Sequence, residues 1–97
     1  MSQLSSFELD GVSQLKTFDG FCRDGSNNKN VIKQLDATNE QNCYGQCKIT
    51  AGCTALAYEF DNPDMDCDLY RGGPYTKGNG RENTKCYIMP TSGNLCL

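Results

Sequence analysis

Three cysteines in eleven positions, in "CYGQCKITAGC" at residues 43 to 53, constrain this chain more than any other feature. Thiols at that density serve a metal, a redox couple or a covalent staple. Structural zinc takes four Cys or Cys/His ligands, usually as two close pairs. The chain has no histidine, and C-x3-C-x5-C has no matching second pair. A redox motif reads C-x-x-C at a helix N-terminus, and that spacing does not occur. Staples fit best. Cys53 follows a helix stop, so the chain can turn back and bring Cys53 within bridging distance of Cys47.

Composition explains why staples are needed. Only 17 of the 97 residues are Leu, Ile, Val or Phe, a share that borders on disorder. Against disorder stand a net charge of only −3 and seven cysteines. Small domains that cannot bury enough apolar surface commonly rely on cross-links. The length suits one domain. Cysteine at this density implies an oxidising setting, either secreted and extracellular or an oxidising lumen. The start, "MSQLSSFELDGVSQLK", has no basic n-region and no apolar stretch of signal length, so it reads as a processed or excised domain. No stretch approaches a membrane span. The nine Lys and Arg residues are dispersed along the chain, so nucleic acid is not an expected partner.

Turn-rich segments at 23–30, 61–64 and 71–83 divide the sequence. Between them, runs at 15–21, 30–35, 54–60, 67–71 and 84–89 contain aromatic or β-branched residues bounded by Gly, Pro, Asn or Asp, the signature of short strands. One helix is expected. Thr38 serves as its N-cap, with Gln41 completing a T-x-x-Q capping box. Glu40 and Lys48 suit the helix dipole, and Gly52 suits a left-handed stop. Cys43 and Cys47, four apart, share the buried side.

An early Cys22 after an aromatic strand, a capped helix carrying C-x3-C, a C-x5-C running into "TALAYEF", then "CDLY" and "KCYIM", together form a familiar pattern. Over residues 18 to 89 it resembles the PAN/Apple domain family. The resemblance implies an α+β fold, a small disulfide-stapled antiparallel sheet cradling one α-helix. It also implies the pairs Cys22–Cys86, Cys43–Cys67 and Cys47–Cys53, one of fifteen connectivities open to six cysteines. In the chain-entropy view, loops of about 65, 25 and 7 residues contribute roughly 4, 3.5 and 2 kcal/mol, an upper bound for nested loops. Residues 1–17 read as an N-terminal extension or edge strand, and 90–97 as a tail with the extra Cys96. That odd cysteine points to an intermolecular bridge to a covalent partner, or to a free thiol.

Catalysis is not expected. Without histidine there is no imidazole base and no Ser–His or Cys–His pair. No cofactor and no metal are expected either. Asp64, Asp66 and Asp68 give D-x-D-x-D, but a calcium loop needs Gly at position six and Glu at twelve, where Leu69 and Tyr75 stand. Strand alternation explains them better, with Met65, Cys67 and Leu69 inward and the aspartates toward solvent. By the same alternation Tyr58, Phe60, Tyr70 and Tyr87 read as packing residues. The loop 71–83, with four glycines and three cations, reads as a surface loop outside the core. If a ligand site exists, its candidates are Tyr70, Arg71, Tyr75, Lys77 and Asn79, with Tyr75 able to stack on a sugar ring; the loop 23–30 is the alternative. What the resemblance implies is a lectin-like or adhesive module for a protein or glycan ligand. The competing expectation is a structural subunit of an assembly in an oxidising lumen.

Overall fold

The computed structural model describes residues 12, 15–60 and 66–90. Among these residues seven strands and one helix follow in the order β1 (Lys16–Asp19), β2 (Cys22–Asp24), β3 (Val31–Asp36), α1 (Glu40–Lys48), β4 (Cys53–Glu59), β5 (Asp66–Arg71), β6 (Tyr75–Gly78) and β7 (Thr84–Ile88). Five strands form an antiparallel sheet in the order β1-β7-β4-β5-β3, and β2 and β6 pair as a separate antiparallel ribbon. The architecture is a small α+β fold with three disulfides.

The centre of the sheet, β4, β5 and β7, is buried from both sides. β4 lies between β5 and β7, and Ala55 through Glu59 are all buried, so it reads as a run rather than an alternation. On one face Leu56, Tyr58, Leu69 and Tyr87 pack against Cys43, Tyr44 and Cys47 of α1. On the other, Ala55, Ala57, Tyr70 and Cys86 pack against Cys22 and Tyr75 of the ribbon. The small alanines on that second face leave room for the ribbon. The molecule is therefore three layers: helix, sheet, ribbon.

The bridges tie these layers together. Cys43–Cys67 joins α1 to β5, Cys47–Cys53 joins the end of α1 to the start of β4, and Cys22–Cys86 joins the ribbon to β7, with Cα separations of 5.7, 5.4 and 5.0 Å. These are the pairs that the resemblance implies. Cys96, Asp64 and Met65 lie outside the described residues.

Several expectations are corrected. The N-cap is Asn39, not Thr38: Asn39 is extended and its side chain accepts from the Asn42 N–H at 2.8 Å. Gln41 closes no capping box, because its Oε1 accepts from the Val12 N–H at 3.1 Å instead. The helix ends at Lys48 with Ile49 as C-cap, and Gly52, at φ +82°, shapes the turn into β4 rather than the helix stop. Asp68 does not face solvent; it is buried, because the ribbon side of the sheet is covered too. Phe60 is 42% exposed rather than packed in the core. The strand β1 begins at Lys16 on the sheet edge, and Val12 is buried in the helix-side cluster, so packing reaches back into the 1–17 segment.

Candidate functional site

The segment 71–83 is not one loop. It is a turn at Gly72–Pro74, the strand β6, and a second turn leading to β7. Tyr75 is a core residue. Its ring stands edge-on to Tyr70 at 5.4 Å between centroids, its hydroxyl donates to the Arg71 carbonyl, and it accepts from the Asn30 N–H at 3.1 Å. Both tyrosines are buried, and burial pushes both hydroxyl pKa values above the ordinary tyrosine value. Asn79 is committed to the backbone: its Oδ1 accepts from the N–H groups of Phe21 and Arg81 at 2.9 and 3.1 Å. Of the five sequence candidates, Arg71 and Lys77 alone present exposed side chains without a structural task among the described contacts. The structure does not gather the five into one site.

What it gathers is at the second turn. The two glycine turns at Gly20 and Gly80 are locked together: the Gly20 N–H donates to Thr84 O at 2.8 Å, and the Gly80 N–H to Asp19 O at 3.0 Å. A Cβ at Gly78 would overlap the Asp19 carbonyl, and one at Gly20 (φ +96°) would overlap the Asn79 side chain. Only glycine lets these backbones approach so closely. Against this fixed turn opens a hollow of about 380 Å³, bounded by Asp19, Phe60, Arg81, Glu82, Asn83 and Lys85.

Each wall has a cause. Phe60 continues the helix-side face of β4 past the end of the sheet. It rests edge-on against Tyr58 at 5.1 Å, and its N–H donates to Asn83 O at 2.7 Å. Arg81 is held by Glu59, Nε to Oε2 at 3.2 Å, and its guanidinium lies 5.8 Å from the Phe21 ring centre. Lys85 reaches Asp19 at 3.8 Å. A part-exposed aromatic ring, two cations, carboxylates and an amide thus surround one hollow. That set can stack on an apolar face and hydrogen-bond hydroxyl, amide or carboxylate groups without covalent chemistry. Sequence reading missed Phe60, Asp19 and Lys85. The signal available was position: Phe60 is the last residue of an apolar run, where cover from the next layer ends.

On the ribbon side of the sheet Asp68 is nine-tenths buried. Its burial raises its carboxyl pKa above the ordinary 3.8, with neighbouring Asp66 and Glu59 acting in the same sense and a hydrogen bond from Gln34 opposing. No family model matches the chain, and neither a curated protein nor a solved structure matches it.

Proposed function

We propose that this chain is a non-catalytic binding module of PAN/Apple type, which takes a protein or carbohydrate ligand at the hollow between Phe60 and Arg81. The observation that carries this reading is the hollow itself. Phe60 is 42% exposed on a compact fold, beside an Arg81 side chain held in place by Glu59 and Phe21. Exposed aromatic rings flanked by ordered polar groups are the usual anchors of recognition surfaces. The cysteine pattern and the three pairs support the family assignment, and the disulfides support an oxidising setting, extracellular or lumenal.

The test is a glycan array together with a pull-down, using the oxidised domain and its Phe60→Ala and Arg81→Ala variants. Phe60→Ala is expected to abolish capture of the ligand while the circular dichroism stays unchanged. A ligand bound equally by both variants and the wild type would move recognition away from this hollow. A second reading, a structural subunit of an assembly, rests on Ile49, which is 77% exposed as the C-cap of α1, three and four positions after the uncharged Gln46 and Gly45. It predicts that the isolated domain self-associates, and that Ile49→Ser makes it monomeric in sedimentation.

A further inference from the structure

Of the six bridged cysteines, Cys53 alone shows part of its surface to solvent; its partner Cys47 is 2% exposed and the other four are fully buried. A thiolate opens a disulfide by bonding to the sulfur it can reach and displacing the other. Access therefore directs an incoming thiolate to Cys53 and makes Cys47 the leaving sulfur.

The surroundings of Cys53 favour that approach. Across β4 and β5 its direct partner is Arg71, and directly opposed residues share a face. It is the helix-side face, since Cys53 and Leu69, two residues before Arg71, both pack in the helix-side cluster. The Arg71 backbone is fixed at both polar groups: its N–H donates to Asn30 O at 3.0 Å, and its carbonyl accepts from the Tyr75 hydroxyl. Its side chain is exposed and forms no ion pair among the described residues. A partly exposed sulfur beside a cation is the setting in which cysteine chemistry concentrates.

The fold also tolerates the opening of this bridge. Cys47–Cys53 spans a sequence separation of 6, against 24 and 64 for the others, and the shortest loop restricts the unfolded chain least. One turn earlier, Cys43–Cys67 still holds α1 to β5. The turn between Cys47 and Cys53 has hydrogen bonds of its own. The Thr50 N–H donates to Cys47 O at 3.2 Å, the Cys53 N–H to Thr50 O at 3.1 Å, and the Thr50 hydroxyl to Gln46 O at 2.7 Å. A released Cys47 thus stays beside Cys53, placed to expel whatever has been added there.

We propose that Cys53 is the acceptor sulfur of a reversible thiol exchange, through which this module attaches a molecule bearing a cysteine thiol. The incoming thiolate bonds to Cys53 Sγ, the Cys47–Cys53 bond breaks, and Cys47 leaves with the electron pair and takes a proton from water. One disulfide is consumed and one is formed, so no oxidant or reductant is needed. Arg71 is a positioning residue, whose charge draws the thiolate to the start of β4.

The experiment exposes the oxidised Cys96→Ser domain to reduced glutathione, with acid quenching at early times, alkylation and peptide mass mapping. Glutathione is expected on Cys53 with Cys47 alkylated, the other four cysteines still bridged and the circular dichroism native. Arg71→Gln in the same background is expected to form the adduct about threefold more slowly at low salt, the effect of a unit charge ~6 Å away in water, and to match its parent in about 1 M salt. Lys77→Gln, which removes a charge from the ribbon instead, keeps the parent rate. The chain with Cys96 intact, incubated without added thiol, tests that residue as the source. A Cys53–Cys96 link supports acceptance at Cys53 from this sequence itself, and a glutathione adduct without that link supports acceptance from an external thiol. A first adduct on Cys47 or on any of the four buried cysteines, an adduct that forms only in unfolding urea, or equal slowing by Arg71→Gln and Lys77→Gln would each overturn the inference.

Discussion

Asp68 shows how a single residue reports on the layer above it. Alternation along β5 correctly sends Cys67 and Leu69 toward the helix, and Asp68 to the opposite face. What alternation cannot convey is that the opposite face is also covered, because the cover comes from strands distant in sequence. Burial raises the folded-state pKa of Asp68 above its unfolded value near 3.8. Its unfavourable contribution is therefore absent below pH 3.8, where the carboxyl is neutral in both states, and it grows as pH rises through the folded pKa. Asp68→Asn is expected to match wild type in urea at low pH and to become progressively more stable than wild type toward neutrality. A constant difference across the pH series would show that the folded pKa is not raised. Tyr75 carries the parallel lesson. Flanking glycines and Pro74 mark it as a loop residue, yet it fills the ribbon side of the core. Tyr75→Ala is expected to cost about 3–5 kcal/mol, the loss typical of a buried aromatic, measured as a fall in denaturation midpoint. A midpoint near wild type would return Tyr75 to the surface.

At the scale of elements, the helix was legible from its cap-forming residues, and the five sheet strands because each is a short run with aromatic or β-branched residues bounded by turn residues. The ribbon was not. β2 is three residues with no alternation, and β6 is four residues beside glycines; their order comes from pairing with each other and from the Cys22–Cys86 bridge. Partners this distant leave no local trace. The helix start was displaced by one residue, since Thr38 and Asn39 are both good caps and only the tertiary use of Gln41 separates them. Asn39→Ala is expected to lower stability by about 0.5–2 kcal/mol, whereas Thr38→Ala stays close to wild type. The reverse order in chemical denaturation would restore the T-x-x-Q box. The Phe60 hollow was illegible for a related reason: it joins the ends of β1 and β4 to the turn before β7, so its walls span most of the chain.

For the molecule as a whole, the three bridges differ in access. Cys22, Cys43, Cys67 and Cys86 are fully buried and Cys47 nearly so, while Cys53 is partly exposed. Thiolate exchange needs access to a sulfur, so mild reductant is expected to open Cys47–Cys53 first, and mass mapping of alkylated intermediates should find that pair alone. Stronger reduction should unfold the domain, given how few large apolar side chains it has. The position of the outermost bridge also matters mechanically. Lys16 of β1 faces Ile88 of β7, so tension applied through the two ends of the sheet peels β1 away one pair at a time. The peel stops at Cys22–Cys86, where the load passes from one cysteine to the other and bypasses the chain between them. In the oxidised domain, pulling on these two points can release only about eight residues, ~30 Å at full stretch. The reduced domain has no such stop and should pay out its whole length in a single-molecule force trace.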